Sequence, residues 1–190
     1  YTPWGGPPAT RSLSVGPDGV VYANVHVGGI LRSADEGRSW EPTIDIDADV
    51  HQVLADPSEP GRVFAAAAVG LAVTDDGGAS WRYETDGLDA SYARAVAIAD
   101  GLVLVSVSRG PGGQRSALYR CPLGGGPFER CTDGLPEWFA SNVDTACLAA
   151  EGPVVVFGTD EGSVFLSEDG GATWRVLADG LPAVRSVGVA

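Results

Sequence analysis

The chain contains no methionine and no lysine, and only three of its 190 residues are cysteine. Its basic residues are therefore all arginine, twelve of them against 25 acidic residues, for a formal charge of −13. A surface this acidic argues against nucleic acid or an anionic membrane as the main partner, since both require clustered cations. No apolar run approaches 18 residues, so no segment is expected to insert into a bilayer. No charged stretch followed by an apolar one opens the chain, and no signal peptide is visible. A chain that starts at Tyr1 and lacks Met reads as a processed product, a trimmed piece or a fragment. No segment shows a 3.6-residue apolar period, which leaves no amphipathic helix to predict. There is no phosphate-cradling glycine loop, no His-Glu-x-x-His and no Cys-x-x-Cys, so neither a cofactor nor a metal is expected.

What is present is repetition. The stretch Ser33-Ala34-Asp35-Glu36-Gly37-Arg38-Ser39-Trp40 recurs as Thr74 to Trp81 and as Ser167 to Trp174. The shared pattern is a hydroxyl (Ser33, Thr74, Ser167), Asp two later (Asp35, Asp76, Asp169), Gly four later (Gly37, Gly78, Gly171) and Trp seven later (Trp40, Trp81, Trp174). A degenerate copy, Cys121 to Phe128, keeps the Gly and the aromatic but has Cys for the hydroxyl and Leu for the Asp. The aromatic anchors are 41, 47 and 46 residues apart, the period of a four-stranded propeller blade. Within each period a short alternating run comes first: Ser12–Val15, Val50–Leu54, Ala93–Ile98 and Thr145–Ala149. A turn rich in Gly, Pro or Asp follows, then a continuous apolar run: Val20–Val25, Val63–Ala68, Leu102–Val107 and Val154–Phe157. Continuous runs suit strands buried on both faces. The 27 Gly and 13 Pro punctuate these runs rather than forming low-complexity tracts. The expected fold is an all-β propeller of four-stranded antiparallel blades over residues 1–190. The repeats fall at about 8–48, 49–90, 91–142 and 143–182, and 183–190 begin a fifth; the whole is expected to be part of a larger six- to eight-bladed ring.

The motif is a hairpin loop by its chemistry. Asp and Ser/Thr side chains bond to nearby backbone, Gly accepts a positive φ, and Trp buries a large ring while its N–H finds an acceptor. These segments resemble the Asp-box (BNR) repeats of sialidase-like β-propellers. The runs His51-Gln52-Val53-Leu54-Ala55-Asp56-Pro57 and Asp179-Gly180-Leu181-Pro182 also look like that family. The resemblance spans nearly the whole chain and includes sialidases, xyloglucan-cleaving glycosidases, sorting-receptor ectodomains and photosystem assembly factors. It implies that the Asp-box carboxylates are structural and that any site lies on the opposite face.

On that face the acidic run Ile44 to His51 holds Asp45, Asp47 and Asp49 beside a histidine. Calcium ligation is conceivable, but the run lacks the Gly and distal Glu of the known calcium loop, so an acidic solvated loop is preferred. His26 and His51 lie near one blade junction, either lining a pocket or half-buried. The third repeat carries two longer loops, Ser108–Arg115 and Asp133–Asn142. Long loops on a regular scaffold are commonly functional. Arg109, Glu137, Trp138 and Phe139 there form either a carbohydrate or peptide platform or a packing plug. The candidate binding residues are thus His26, His51, Arg109, Trp138 and Phe139. Glycoside cleavage needs two carboxylates across a cleft, for which Asp47, Asp49 and Glu137 are the weak candidates, with Asp144 and Asp160 behind them. The Arg-Ile-Pro stretch that the resemblance to sialidases would bring is absent, although Arg11, Arg94 and Arg185 occupy comparable inner-strand positions. Cys121 and Cys131 are candidates for a disulfide tying the degenerate loop, and Cys147 reads as core. The leading expectation is a non-catalytic binding module for a protein or carbohydrate ligand. A glycoside hydrolase is the alternative and a protein-complex assembly factor the second. An incomplete ring would favour self-association. The compartment stays open, with secretion favoured over cytoplasm.

Overall fold

A computed structural model describes residues 9–26 and 28–189. Among them sixteen strands and no helix occur, arranged as four four-stranded antiparallel meanders. The fold is all-β, four blades of the propeller type, as the repeat period requires. The chain divides into two compact units, Tyr1–Glu84 and Thr85–Ala190.

The first unit holds two blades. Blade one comprises β1 (Ala9–Val15), β2 (Val21–His26), β3 (Ile30–Ser33) and β4 (Glu41–Pro42). Blade two comprises β5 (Val50–Ala55), β6 (Val63–Ala67), β7 (Gly70–Thr74) and β8 (Arg82–Glu84). β6 and β7 are buried at every position, which is why Val63–Ala67 is a continuous apolar run rather than an alternating one. The core between these blades is built from Val20, Tyr22, Ile30, Ile44, Val50 and Val53, with the small residues Ala65 and Ala67 letting the sheets approach.

The second unit repeats the plan. Blade three comprises β9 (Tyr92–Ala99), β10 (Leu102–Ser108), β11 (Ala117–Pro122) and β12 (Glu129–Arg130). Blade four comprises β13 (Leu148–Glu151), β14 (Val154–Gly158), β15 (Val164–Ser167) and β16 (Arg175–Ala178). Its core gathers Leu104, Leu118, Phe157, Phe165 and Trp174. Phe157 and Phe165 stack at 4.8 Å, and Trp174 meets Phe157 edge-on at 5.0 Å.

Two expectations for the last repeat need correction. Its inner strand begins at Leu148, not Thr145, because Asp144–Cys147 forms a turn. In that turn the Cys147 N–H donates to the Asp144 carbonyl at 2.9 Å and Ala146 takes a φ of 66°. Residues 183–189 form no strand; instead Val184 donates to Thr159 and Val187 to Ala146, laying this segment along blade four.

Three inner strands share an irregularity that reorients a polar side chain. β1, β5 and β9 each carry a bulge near their start, where Arg11, His51 and Arg94 interrupt the pairing with the second strand. A bulge leaves one residue outside the ladder and turns its side chain. The second strand then places a polar side chain against the next blade. Asn24 Nδ2 donates to the Val50 carbonyl at 2.9 Å in the first unit, and Ser106 Oγ to the Val143 carbonyl at 2.7 Å in the second.

Candidate binding site

The repeated loops close on themselves. In the first, the Ser33 hydroxyl accepts from the Gly37 N–H and donates to Asp35, both at 2.8 Å. The other Asp35 oxygen accepts from the Ser39 hydroxyl at 2.6 Å. The same network joins Thr74, Asp76, Gly78 and Ser80, and again Ser167, Asp169, Gly171 and Thr173. Gly37, Gly78 and Gly171 all have positive φ, at 83°, 93° and 83°. The second hydroxyl, Ser39, Ser80 or Thr173, is a member that the four-point reading overlooks, although each copy has one directly before its Trp. Its hydroxyl holds each Asp carboxyl down to about 2, helped by the backbone N–H of the same residue. Carboxylates so fully committed to their own loop have little left to offer a ligand.

The tryptophans diverge. Trp174 is 6% exposed and donates to the Gly171 carbonyl; Trp81 donates instead to the Thr43 carbonyl of blade one and packs on that core. Trp40 donates to the Gly37 carbonyl at 3.1 Å but is 42% exposed, contrary to the expectation of a buried ring. In the degenerate loop, Leu123 supplies no carboxylate, and a backbone turn from Gly125 N–H to the Pro122 carbonyl replaces the network.

At the opposite ends of the first unit's blades, three of the sequence candidates meet. The bulge aims the buried His51 at Asp49, with Nε2 3.3 Å from Oδ1. His26, at the end of β2, brings its Nε2 to 3.6 Å from the same oxygen. The two imidazole centroids are 6.2 Å apart. The His51 imidazole holds the Asp49 carboxyl below its usual range against the upward push of burial, with smaller help from His26 and Arg11. Asp47 is exposed, its N–H donating to Asp45 Oδ1 at 2.9 Å. That local turn uses a carboxylate which calcium ligation would need.

In the second unit the bulge residue Arg94 grips Asp144, Nε to Oδ1 at 2.6 Å. Arg185 pairs with Asp160 at 2.9 Å. The two long loops of blade three are tied together. The Phe139 N–H donates to the Ser116 carbonyl at 2.9 Å, and Asn142 Nδ2 reaches the Pro111 carbonyl at 3.2 Å. Phe139 itself is a correction to the binding candidates: it is core, edge-on to Phe157 at 5.3 Å and to Phe165 at 5.7 Å. Trp138 is half-buried, with Arg130 stacked 3.8 Å and Arg115 5.3 Å from its ring centroid. Arg109 and Glu137 are exposed. A cleft of about 310 Å³ lies beside the degenerate loop, lined by Leu102, Arg120, Cys121, Pro122, Pro127 and Glu129.

No disulfide joins Cys121 to Cys131. The pairing of Arg120 with Glu129 and of Tyr119 with Arg130 sets Cys131 opposite Leu118, three residues along the strand from Cys121. At about 3.3 Å per residue that offset is too long for a disulfide. Burial pushes the Cys131 thiol up to about 11. Cys147 is buried, as expected, but in the turn before β13 rather than within the strand.

No protein family profile matches this chain, and no curated protein matches it. Solved structures do. An ancestral GH74 enzyme superposes with a TM-score of 0.68 at 18% identity, over 90% of this chain and 24% of its own. The GH74 xyloglucanase from Xanthomonas campestris gives 0.66 at 20% identity, over 90% of this chain and 30% of its own. YCF48 in its complex with D1 peptide gives 0.51 at 14% identity, over 91% of this chain and 67% of its own. The chain spans about a quarter to a third of the length of the GH74 enzymes. At such identities the likeness establishes the fold, and the chain is similar to the blades of glycosidase and peptide-bound propellers alike.

Proposed function

We propose that this chain is a non-catalytic binding module of the Asp-box propeller type, taking a protein or carbohydrate ligand at the blade ends away from the hydroxyl–Asp loops. The observation that carries this reading is the state of the carboxylates at those ends. Asp49 is held between two imidazoles, Asp144 is gripped by Arg94 and Asp160 by Arg185. A glycosidase acid needs a carboxyl raised toward neutrality, whereas Asp49 is shifted down by His51. Salt-bridged carboxylates of this kind shape and orient a surface rather than deliver protons. Exposed Arg109 and half-buried Trp138, with Arg115 and Arg130 stacked on its ring, suit contact with a polar ligand.

The glycoside hydrolase alternative draws on the likeness to GH74 enzymes, and the assembly-factor alternative on the likeness to peptide-bound YCF48. The chain is assayed for turnover of xyloglucan and a panel of glycosides, and for binding of the same glycans and of a peptide array by interferometry. The expected result is binding without turnover, weakened at least tenfold in Arg109→Ala or Trp138→Ala. Turnover that disappears in Asp49→Asn or Glu137→Gln would overturn the reading.

A further inference from the structure

The cluster of His26, Asp49 and His51 is the one place among the described residues where three metal-ligating side chains converge. One ligand atom from each lies within 4.8 Å of the other two. We propose that these three side chains form a binding site for a divalent transition-metal ion of the zinc type, independently of whether the blade ends take a glycan or a peptide.

The distances carry the argument. Asp49 Oδ1 stands 3.3 Å from His51 Nε2 and 3.6 Å from His26 Nε2. Both are longer than an N–H···O hydrogen bond, which centres on about 2.9–3.0 Å. They bracket the spacing of two ligands on a tetrahedral ion with arms of about 2.0–2.1 Å, whose neighbouring donors are about 3.4 Å apart. The oxygen is buried and completes no hydrogen bond of ordinary geometry. A metal ion set between this oxygen and the two imidazole nitrogens would complete the shells of all three.

The donor set points to the class of ion. Two imidazole nitrogens and one carboxylate oxygen suit zinc and its neighbours rather than calcium or magnesium, which prefer all-oxygen shells. Three protein ligands leave a fourth position for water or a ligand oxygen. His51 is fully buried, while His26 and Asp49 retain 31% and 25% of their side-chain exposure, so the fourth position opens toward solvent on their side.

The surrounding chain holds the donors in place. The bulge at His51 turns its ring out of the β5 ladder toward Asp49. Asn24, two residues before His26 on β2, donates to the Val50 carbonyl at 2.9 Å. That bond anchors the residue between Asp49 and His51 to the strand bearing His26, a supporting contact of the kind that orients metal ligands. The equivalent bulge position in the first and third blades is arginine, Arg11 and Arg94, the latter paired with Asp144 before blade four. Blade two alone among these places a neutral-capable nitrogen donor there. The Arg11 charge is near enough to act on Asp49, so it opposes the ion.

The test uses the untagged chain, titrated with zinc by calorimetry and with cobalt(II) by visible absorption. The expected result is one ion per chain and the strong absorption bands of tetrahedral cobalt. Affinity should fall at least 30-fold in His26→Ala and in Asp49→Asn, stay within threefold in Asp47→Asn, and rise in Arg11→Gln. Circular dichroism establishes that each variant is folded. Because His26 is partly exposed, its removal tests the site even if a change at buried His51 prevents folding. Absence of binding, octahedral cobalt spectra, or binding unchanged in both His26→Ala and Asp49→Asn would overturn the proposal.

Discussion

At the residue scale, one sequence position does different work in different repeats. Trp40, Trp81 and Trp174 share a motif offset, yet Trp174 sits in a core and Trp40 is largely at the surface. Large-to-small changes in a core cost about 3–5 kcal/mol, while Trp40 loses little more than one hydrogen bond, on the order of 1 kcal/mol. Urea melts of Trp174→Ala and Trp40→Ala should therefore differ by at least twofold in lost stability. Equal losses would show that the Trp40 ring is buried in solution. His26, Asp49 and His51 were each legible as candidates, but for unrelated reasons: two as junction histidines, one as an acidic-loop carboxylate. What the residues alone do not reveal is the bulge at His51, which decides that all three face one another. The Cys121–Cys131 expectation failed for a kindred reason, since hairpin register and not sequence proximity sets which thiols meet.

At the element scale, a backbone contact made by the Asp-Gly-Leu loop recurs within the second unit. The Asp86 carbonyl accepts from the Phe128 N–H at 2.8 Å, and the Asp133 carbonyl from the Trp174 N–H at 3.0 Å. Gly87 and Gly134 follow these carbonyls at φ of 86° and 80°. A Cβ on Gly134 would lie 1.9 Å from the Trp174 carbonyl oxygen, while one on Gly180, in the third Asp-Gly-Leu copy, would meet nothing within 4 Å. Gly134→Ala combines a steric clash with a left-handed backbone and should cost about 3 kcal/mol or more. Gly180→Ala meets only the backbone penalty, about 1–2 kcal/mol. Thermal melts of the two variants compare the terms directly, and similar losses would show that the joint yields easily. The strands themselves were largely legible, because β2, β6, β10 and β14 are short apolar runs bounded by Gly and Asp turns. The start of β13 was not, because Asp144–Cys147 has the apolar content of a strand but folds as a turn around Ala146.

At the scale of the whole molecule, acidity dominates. Asp35, Asp76 and Asp169 are lowered to about 2 by their loop hydroxyls, below the ordinary value near 3.9 that they regain on unfolding. Their folded-state pKa is depressed, so the stability they contribute is complete above about pH 4 and is lost as pH falls through 2. The melting temperature should drop between pH 4 and pH 2, less steeply in Asp169→Asn. Solubility should be lowest near the sequence pI of about 4.3, where net charge vanishes, so turbidity should peak before the stability loss is complete. A flat melting temperature across that range would refute the role given to these carboxylates.

The sequence by itself determined the class of fold and the loop chemistry. A repeat of 41 to 47 residues holding short apolar segments without helical period reads as a four-stranded blade, and a hydroxyl, Asp and Gly at fixed offsets bond locally whatever surrounds them. Only the tertiary structure decided which carboxylates are committed to a cation, which aromatics are core, and that His26, Asp49 and His51 share one point. Those outcomes depend on register and on bulges. A shift of one residue in either sends a side chain to the other face, and no composition or spacing along the chain records it.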